Sequence, residues 1–216
     1  MSKQIKRSFA LAALVLGFTF VSSAPMIPAA VAAPEPEAVP SRWEFDLEAG
    51  KLRVISVNIP NEGQRSFYYW TYKVTNTTGE DLPFNPAFEL YTEDGTKSEL
   101  VRSGRDVPRE ATETILEKID NDLLLDEVDI QSGLLLQGRE NAREGLVVWP
   151  VESYKIDEVV IYAEGFSGES RSVTRPDNGE RVVLRKTLML RHSVEGTLDS
   201  TSPRPLRRTV ERWILR

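Results

Sequence analysis

The strictest constraint on this chain is the two-residue alternation of its apolar side chains. Between residues 67 and 75, Tyr68, Trp70, Tyr72 and Val74 share one parity, while Phe67, Tyr69, Thr71 and Lys73 share the other. Successive side chains of an extended strand point to opposite faces, so this run predicts a strand with an aromatic inner face. The same period recurs around it. Trp43, Phe45 and Leu47 alternate with Glu44, Asp46 and Glu48; after Ala49-Gly50 a second strand is expected over 52–59, closed by Pro60-Asn61-Glu62-Gly63. Phe88 and Leu90 belong to a short strand that Asp94-Gly95 reverses. Strands are expected again over 146–149 and Glu158–Glu164. Asn178-Gly179 makes the hairpin turn between Ser170–Thr174 and a long strand over 181–194, in which Val182, Leu184, Leu188, Leu190, His192 and Val194 share a face. The tail 208–215 alternates too and reads as a closing edge strand.

One stretch changes period. Pro108 suits the first turn of a helix, and Ala111, Ile115, Ile119 and Leu123 recur every four residues, which predicts a helix over 108–123. Eight or nine short strands joined by turns, with that one inserted helix, make the chain mostly β and point to an antiparallel β-sandwich. Tyr68, Trp70, Tyr72 and Val74 should then fill the core between the sheets. Phe67 and Tyr69 face outward, and the apolar helix stripe is expected to lie over them.

Several stretches resemble known proteins. The run from Tyr69 to Asp81, with Val74-Thr75-Asn76-Thr77-Thr78-Gly79 at its centre, is similar to the V-x-N-x-(S/T)-G-x-x corner of secreted bacterial immunoglobulin-like modules. Further similar points are the run from Phe88 to Gly95, and Gly138 to Trp149 followed by Val159-Val160-Ile161-Tyr162. The resemblance covers residues 42–165. It implies an immunoglobulin-like form of the sandwich and a place outside the cytoplasm. Those families are mostly of unknown function and include cell-envelope and antigen-like proteins, so it carries no catalytic residue.

The N-terminus reads as a secretory signal peptide over residues 1–32. Lys3, Lys6 and Arg7 precede about 13 strongly apolar residues, fewer than a bilayer span needs, and Ala30-Val31-Ala32 forms a small-residue cleavage site. Residues 33–41 hold three prolines in nine positions and are expected to be an extended spacer, with the folded domain over 42–216. Residues 1–32 carry three positive charges and no acid, so their removal takes the formal net charge from −6 to −9. An acidic domain argues against nucleic acid as a partner, and membrane contact is expected only through the signal peptide.

The chemistry available is narrow. With no Cys and only His192 as an imidazole, disulfides, thiol nucleophiles and multi-histidine metal centres are excluded. Asp120-Asn121-Asp122 to Asp126-Glu127-Val128-Asp129 places five carboxylates in ten residues, which could hold calcium but lacks the EF-hand spacing; a solvated helix end is the ordinary role. Gly165-Phe166-Ser167-Gly168-Glu169 nearly spells a nucleophile elbow, with His192 the one available base. Arg204, Arg207, Arg208, Arg212 and Arg216 make the tail basic, either toward an anionic envelope polymer or to pair within the chain and guard an edge strand. No catalytic, cofactor-binding or metal-ligating residue is assigned, and no cofactor is expected. The expectation is a non-enzymatic exported module, secreted or periplasmic, with a binding or structural role and an envelope protein or glycan as partner. The alternatives are a small carbohydrate-active hydrolase with a carboxylate pair and a calcium-stabilised adhesion module. Processing is directly testable: N-terminal sequencing of the exported protein should begin at Ala33, and an intact Met1 would overturn the signal-peptide reading.

Overall fold

The computed structural model describes residues 34–202 and 204–216, so the expected signal peptide lies outside the described residues. The chain is mostly β. In order come β1 (Asp46–Ile59), β2 (Gly63–Thr75), β3 (Leu82–Pro83), β4 (Ala87–Glu93) and β5 (Ser98–Arg102), then the helix α1 (Arg109–Ile119). After it follow β6 (Leu124–Leu125), β7 (Leu134–Leu135), β8 (Arg143–Pro150), β9 (Glu158–Glu164), β10 (Ser170–Thr174), β11 (Arg181–Ser193) and β12 (Arg207–Leu215). One sheet has the order β1-β2-β8-β6. The second runs β10-β11-β9-β4-β5 with β12 also paired to β11, and β3 pairs with β7. All these strand pairs are antiparallel except the two-residue β6–β8 pair.

The two main sheets share one core. Tyr68, Trp70 and Tyr72 of β2 pack with Leu52 and Val54 of β1 and Val147 and Trp149 of β8. Facing them are Phe88 and Leu90 of β4, Val159, Ile161 and Ala163 of β9, and Leu188 and Leu190 of β11. The aromatic rings interlock: Trp70 stacks on Tyr72 at 5.1 Å, and Phe88 meets both, at 5.8 and 5.2 Å. Gly145 makes this possible, because a Cβ there would lie 2.4 Å from the Tyr72 ring that covers it.

A second, smaller core lies on the outer face of the first sheet. Ala111 and Ile115 of α1 bury Phe67, Leu146 and Val148, and Tyr69 packs partly against the same cluster. The helix is shorter than its pattern predicts. Pro108 stands just ahead of it in an extended conformation, and Asp120 ends it in the left-handed region at φ 53°. Leu123 therefore falls off the stripe and is 72% exposed, while Leu124 turns under as β6.

Two further expectations shift. The strands predicted on either side of Ala49-Gly50 are one continuous β1, whose register against β2 slips between Ala49 and Leu52. Gly50 lies directly against the Thr71 carbonyl, so the chain passes close to β2 and bulges there rather than turning. Sequence pattern also left out β5 and the segment after α1, although Ile130 and Leu135 are fully buried in the main core. Apolar residues in short irregular loops carry no period to read. The tail does form an edge strand, β12 on β11. Because Trp70 is wholly enclosed, Trp70→Ala should cost about 3–5 kcal/mol, read as a lowered midpoint in chemical denaturation.

Candidate functional site

A cleft of about 800 Å³ opens at the N-terminal end of α1, over the outer face of β8. Leu146 and Val148 form its floor, Arg109 and Thr112 of the helix one wall, and Asp126, Glu127 and Asp129 the other. The Glu127 carboxyl is held above its ordinary value. Burial pushes the carboxyl up, against the Ser103 hydroxyl that donates to it at 2.6 Å and draws it down. Asp126 is committed to its own loop: its Oδ1 accepts the N–H groups of Val128 and Asp129 at 2.9 and 2.8 Å. Asn121 accepts the Leu123 N–H in the same way. The acidic stretch is thus partly a set of turn caps. Among the described residues, no three His, Asp or Glu side chains converge as metal ligands do.

A second cluster surrounds Lys186, which is only 4% exposed. Its ammonium lies 2.6 Å from Glu44 and 3.3 Å from Glu169, with the Trp213 ring 5.5 Å away. Burial opposes the charge on Lys186, but hydrogen bonds and charge from Glu44 and Glu169 outweigh it and hold the ammonium above the usual lysine range. The sequence reading passed over Lys186. Its signal was there: a lysine at the inward parity of β11, between Leu184 and Leu188.

The near-elbow is a structural linker between β9 and β10. Phe166 enters the main core, Ser167 bridges to Glu44, and Glu169 meets Lys186. Ser167 and His192 do not meet. His192 pairs with Val159, while Ser167 lies beyond Glu164, which pairs with Thr187; five strand residues, about 17 Å, separate those rungs. His192 is buried to 1% exposure beside Leu190.

The basic tail is largely paired within the chain. Arg207 meets Glu195 at 3.2 Å, Arg208 meets Glu211 at 2.7 Å and also donates to the carbonyls of Ala49 and Gly50. Arg216 pairs with Glu89 and lies over the Tyr162 ring. Ahead of the first sheet, the proline-rich segment 34–40 lies along a groove shared with Arg212 and Trp213, and the Glu37 N–H donates to Glu169 at 2.8 Å. That segment holds no helix or strand and bends at Ala38 and Val39, and it is seated on the fold from before residue 42.

Comparison of the chain with family models, with curated proteins and with solved structures gives no match. The site residues therefore speak only through their own chemistry, and His192 gives the clearest measurable signature. Burial first, and the neighbouring Arg208 second, pull its imidazole from 6.5 down to about 4. Unfolding then takes up a proton between those values, so stability is full above pH 6.5 and falls as pH drops toward 4, by roughly 3 kcal/mol in all. Glu127 works in the opposite sense, since its raised carboxyl binds a proton more readily when folded. Denaturation across this window should show the loss, and His192→Leu should flatten it.

Proposed function

We propose that this protein is an exported, non-enzymatic module of the immunoglobulin-like β-sandwich type, secreted or periplasmic, that works by binding or structural support in the cell envelope. The observation that carries the reading is where its reactive groups lie. Ser167 and His192 stand on distant rungs of one sheet, Lys186 is neutralised by two carboxylates, and the aromatic strand fills two cores. These groups hold the fold together instead. Binding is then left to the clefts and loops at the edges of the sheets.

The competing reading is a small carbohydrate-active hydrolase. It draws on Glu127, whose raised carboxyl in an open cleft suits a general acid. Glycoside cleavage needs a second, ionised carboxylate across the scissile bond, and the nearby Asp126 is turned into its own loop. Incubated with envelope polysaccharide, the purified protein should release no reducing ends, and Glu127→Gln should leave that baseline unchanged. Sugar release that Glu127→Gln abolishes would establish the hydrolase in its place.

A further inference from the structure

Trp43 occupies an unusual position for a tryptophan. Trp70 and Trp149 are fully enclosed, whereas Trp43 is 36% exposed and lines a cleft of about 430 Å³ beside the β9–β10 linker. A tryptophan left open normally has a reason, since its large apolar surface favours burial. Its ring is nevertheless held still. Gly168 lies against the indole so closely that a Cβ there would come within 2.6 Å of Nε1. The Gly168 N–H donates to the Trp43 carbonyl at 2.9 Å. Phe45 packs on the ring at 4.9 Å and continues inward through Phe84 and Phe166 to Tyr72. An unbroken line of aromatic contacts therefore runs from the core to this open ring.

Polar groups surround the ring. Asn85, Ser167, Glu164 and Arg185 line the same cleft. The Ser167 oxygen accepts the Glu169 N–H at 3.1 Å and keeps its own proton to donate. Charges at the cleft are paired, Glu164 with Arg185 at 3.3 Å and Glu169 with Lys186 at 3.3 Å. A rigid aromatic plane ringed by neutral or neutralised hydrogen-bonding groups is complementary to a pyranose. The C–H face of the sugar lies on the indole, and its hydroxyls reach the rim. Because the ring is already immobilised, little side-chain entropy is lost on binding.

We propose that the Trp43 cleft binds a pyranose unit of a neutral glycan. This deepens the binding role proposed above and rests on it. Glycoside cleavage uses a carboxylate pair, and the two carboxylates at this cleft, Glu164 and Glu169, are each engaged by a cation, so the proposed site holds the sugar intact.

The test uses the intrinsic fluorescence of the purified exported protein, titrated with cellohexaose, maltohexaose and chitohexaose as probes. At least one should change the emission saturably and shield the exposed indole from acrylamide quenching. Trp43→Ala should weaken that binding at least tenfold with the circular dichroism spectrum unchanged, and Trp43→Phe should recover part of it. Should Trp43→Ala perturb the fold, Asn85→Ala, on an exposed loop, should still weaken binding in a native-like protein. No saturable change with any of the three sugars, or undiminished binding by Trp43→Ala, would overturn the site. So would tight binding of oligogalacturonate that is lost in Arg185→Ala but not in Trp43→Ala. Those outcomes leave the general binding role standing, whereas Glu127-dependent sugar release would remove that role itself.

Discussion

The packing of the β2 aromatic face against the second sheet is the contact on which the rest of the molecule depends. β2 is a central strand, paired to β1 along one edge and β8 along the other, so whatever seats β2 seats the whole first sheet. Tyr68, Trp70 and Tyr72 project from it at alternate positions and meet Phe88 and Phe166 from across the core. Aromatic side chains bury more area than any others, and a register slip of one residue would turn all three onto the opposite face, away from the second sheet. Gly145 on β8 is the matching concession: its missing side chain is filled by the Tyr72 ring.

A strand with that much apolar surface cannot leave its other face bare. Phe67 is enclosed by Ala111 and Ile115, which gives the amphipathic α1 its reason to dock and builds the second core. Leu146 and Val148 of β8 lie under this cover and also form the floor of the cleft of about 800 Å³ beside the helix. The cleft lies at the N-terminal end of the helix, where Val107, Arg109 and Thr112 face the Asp126–Asp129 loop.

The Lys186 cluster is a different kind of constraint. A buried ammonium requires close carboxylates, and here they come from the segment before β1 and from the β9–β10 linker. Such clusters add little net stability, because desolvation offsets the attraction, but they penalise any other arrangement of the parts they join. Glu44 and Glu169 thereby tie the first sheet's entry strand to the second sheet. The same linker presents Gly168 to the indole of Trp43, so the placement of the open tryptophan follows from the burial of a lysine. Glu37 extends the tie to the proline-rich segment through Glu169.

Much of this was legible in the amino-acid order. Period-two alternation located β2, β9, β10, β11 and β12, and the period-four stripe located α1 with its covered partner Phe67, because each pattern is a local consequence of backbone geometry. Asn178-Gly179 does lie between β10 and β11, but Asn178 is not at positive φ, so the reversal is a longer loop over 175–180, closed by the Arg175 N–H on the Glu180 carbonyl, rather than a two-residue primed turn. The merged β1, the early end of α1 and the burial of Ile130 and Leu135 were not legible, for they depend on close approach of backbone and on loops with no period. The candidate sites were least legible of all. Trp43 shares its parity with Phe45 and Leu47, Lys186 stands unmarked within the β11 pattern, and Glu169 ends a near-elbow. What these patterns leave out is contact between residues as far apart as Glu44 and Lys186, 142 positions along the chain. Alternation dictates which way each side chain points; only the stacking of the two sheets decides which distant side chain it meets there, and that meeting sets burial, charge and exposure.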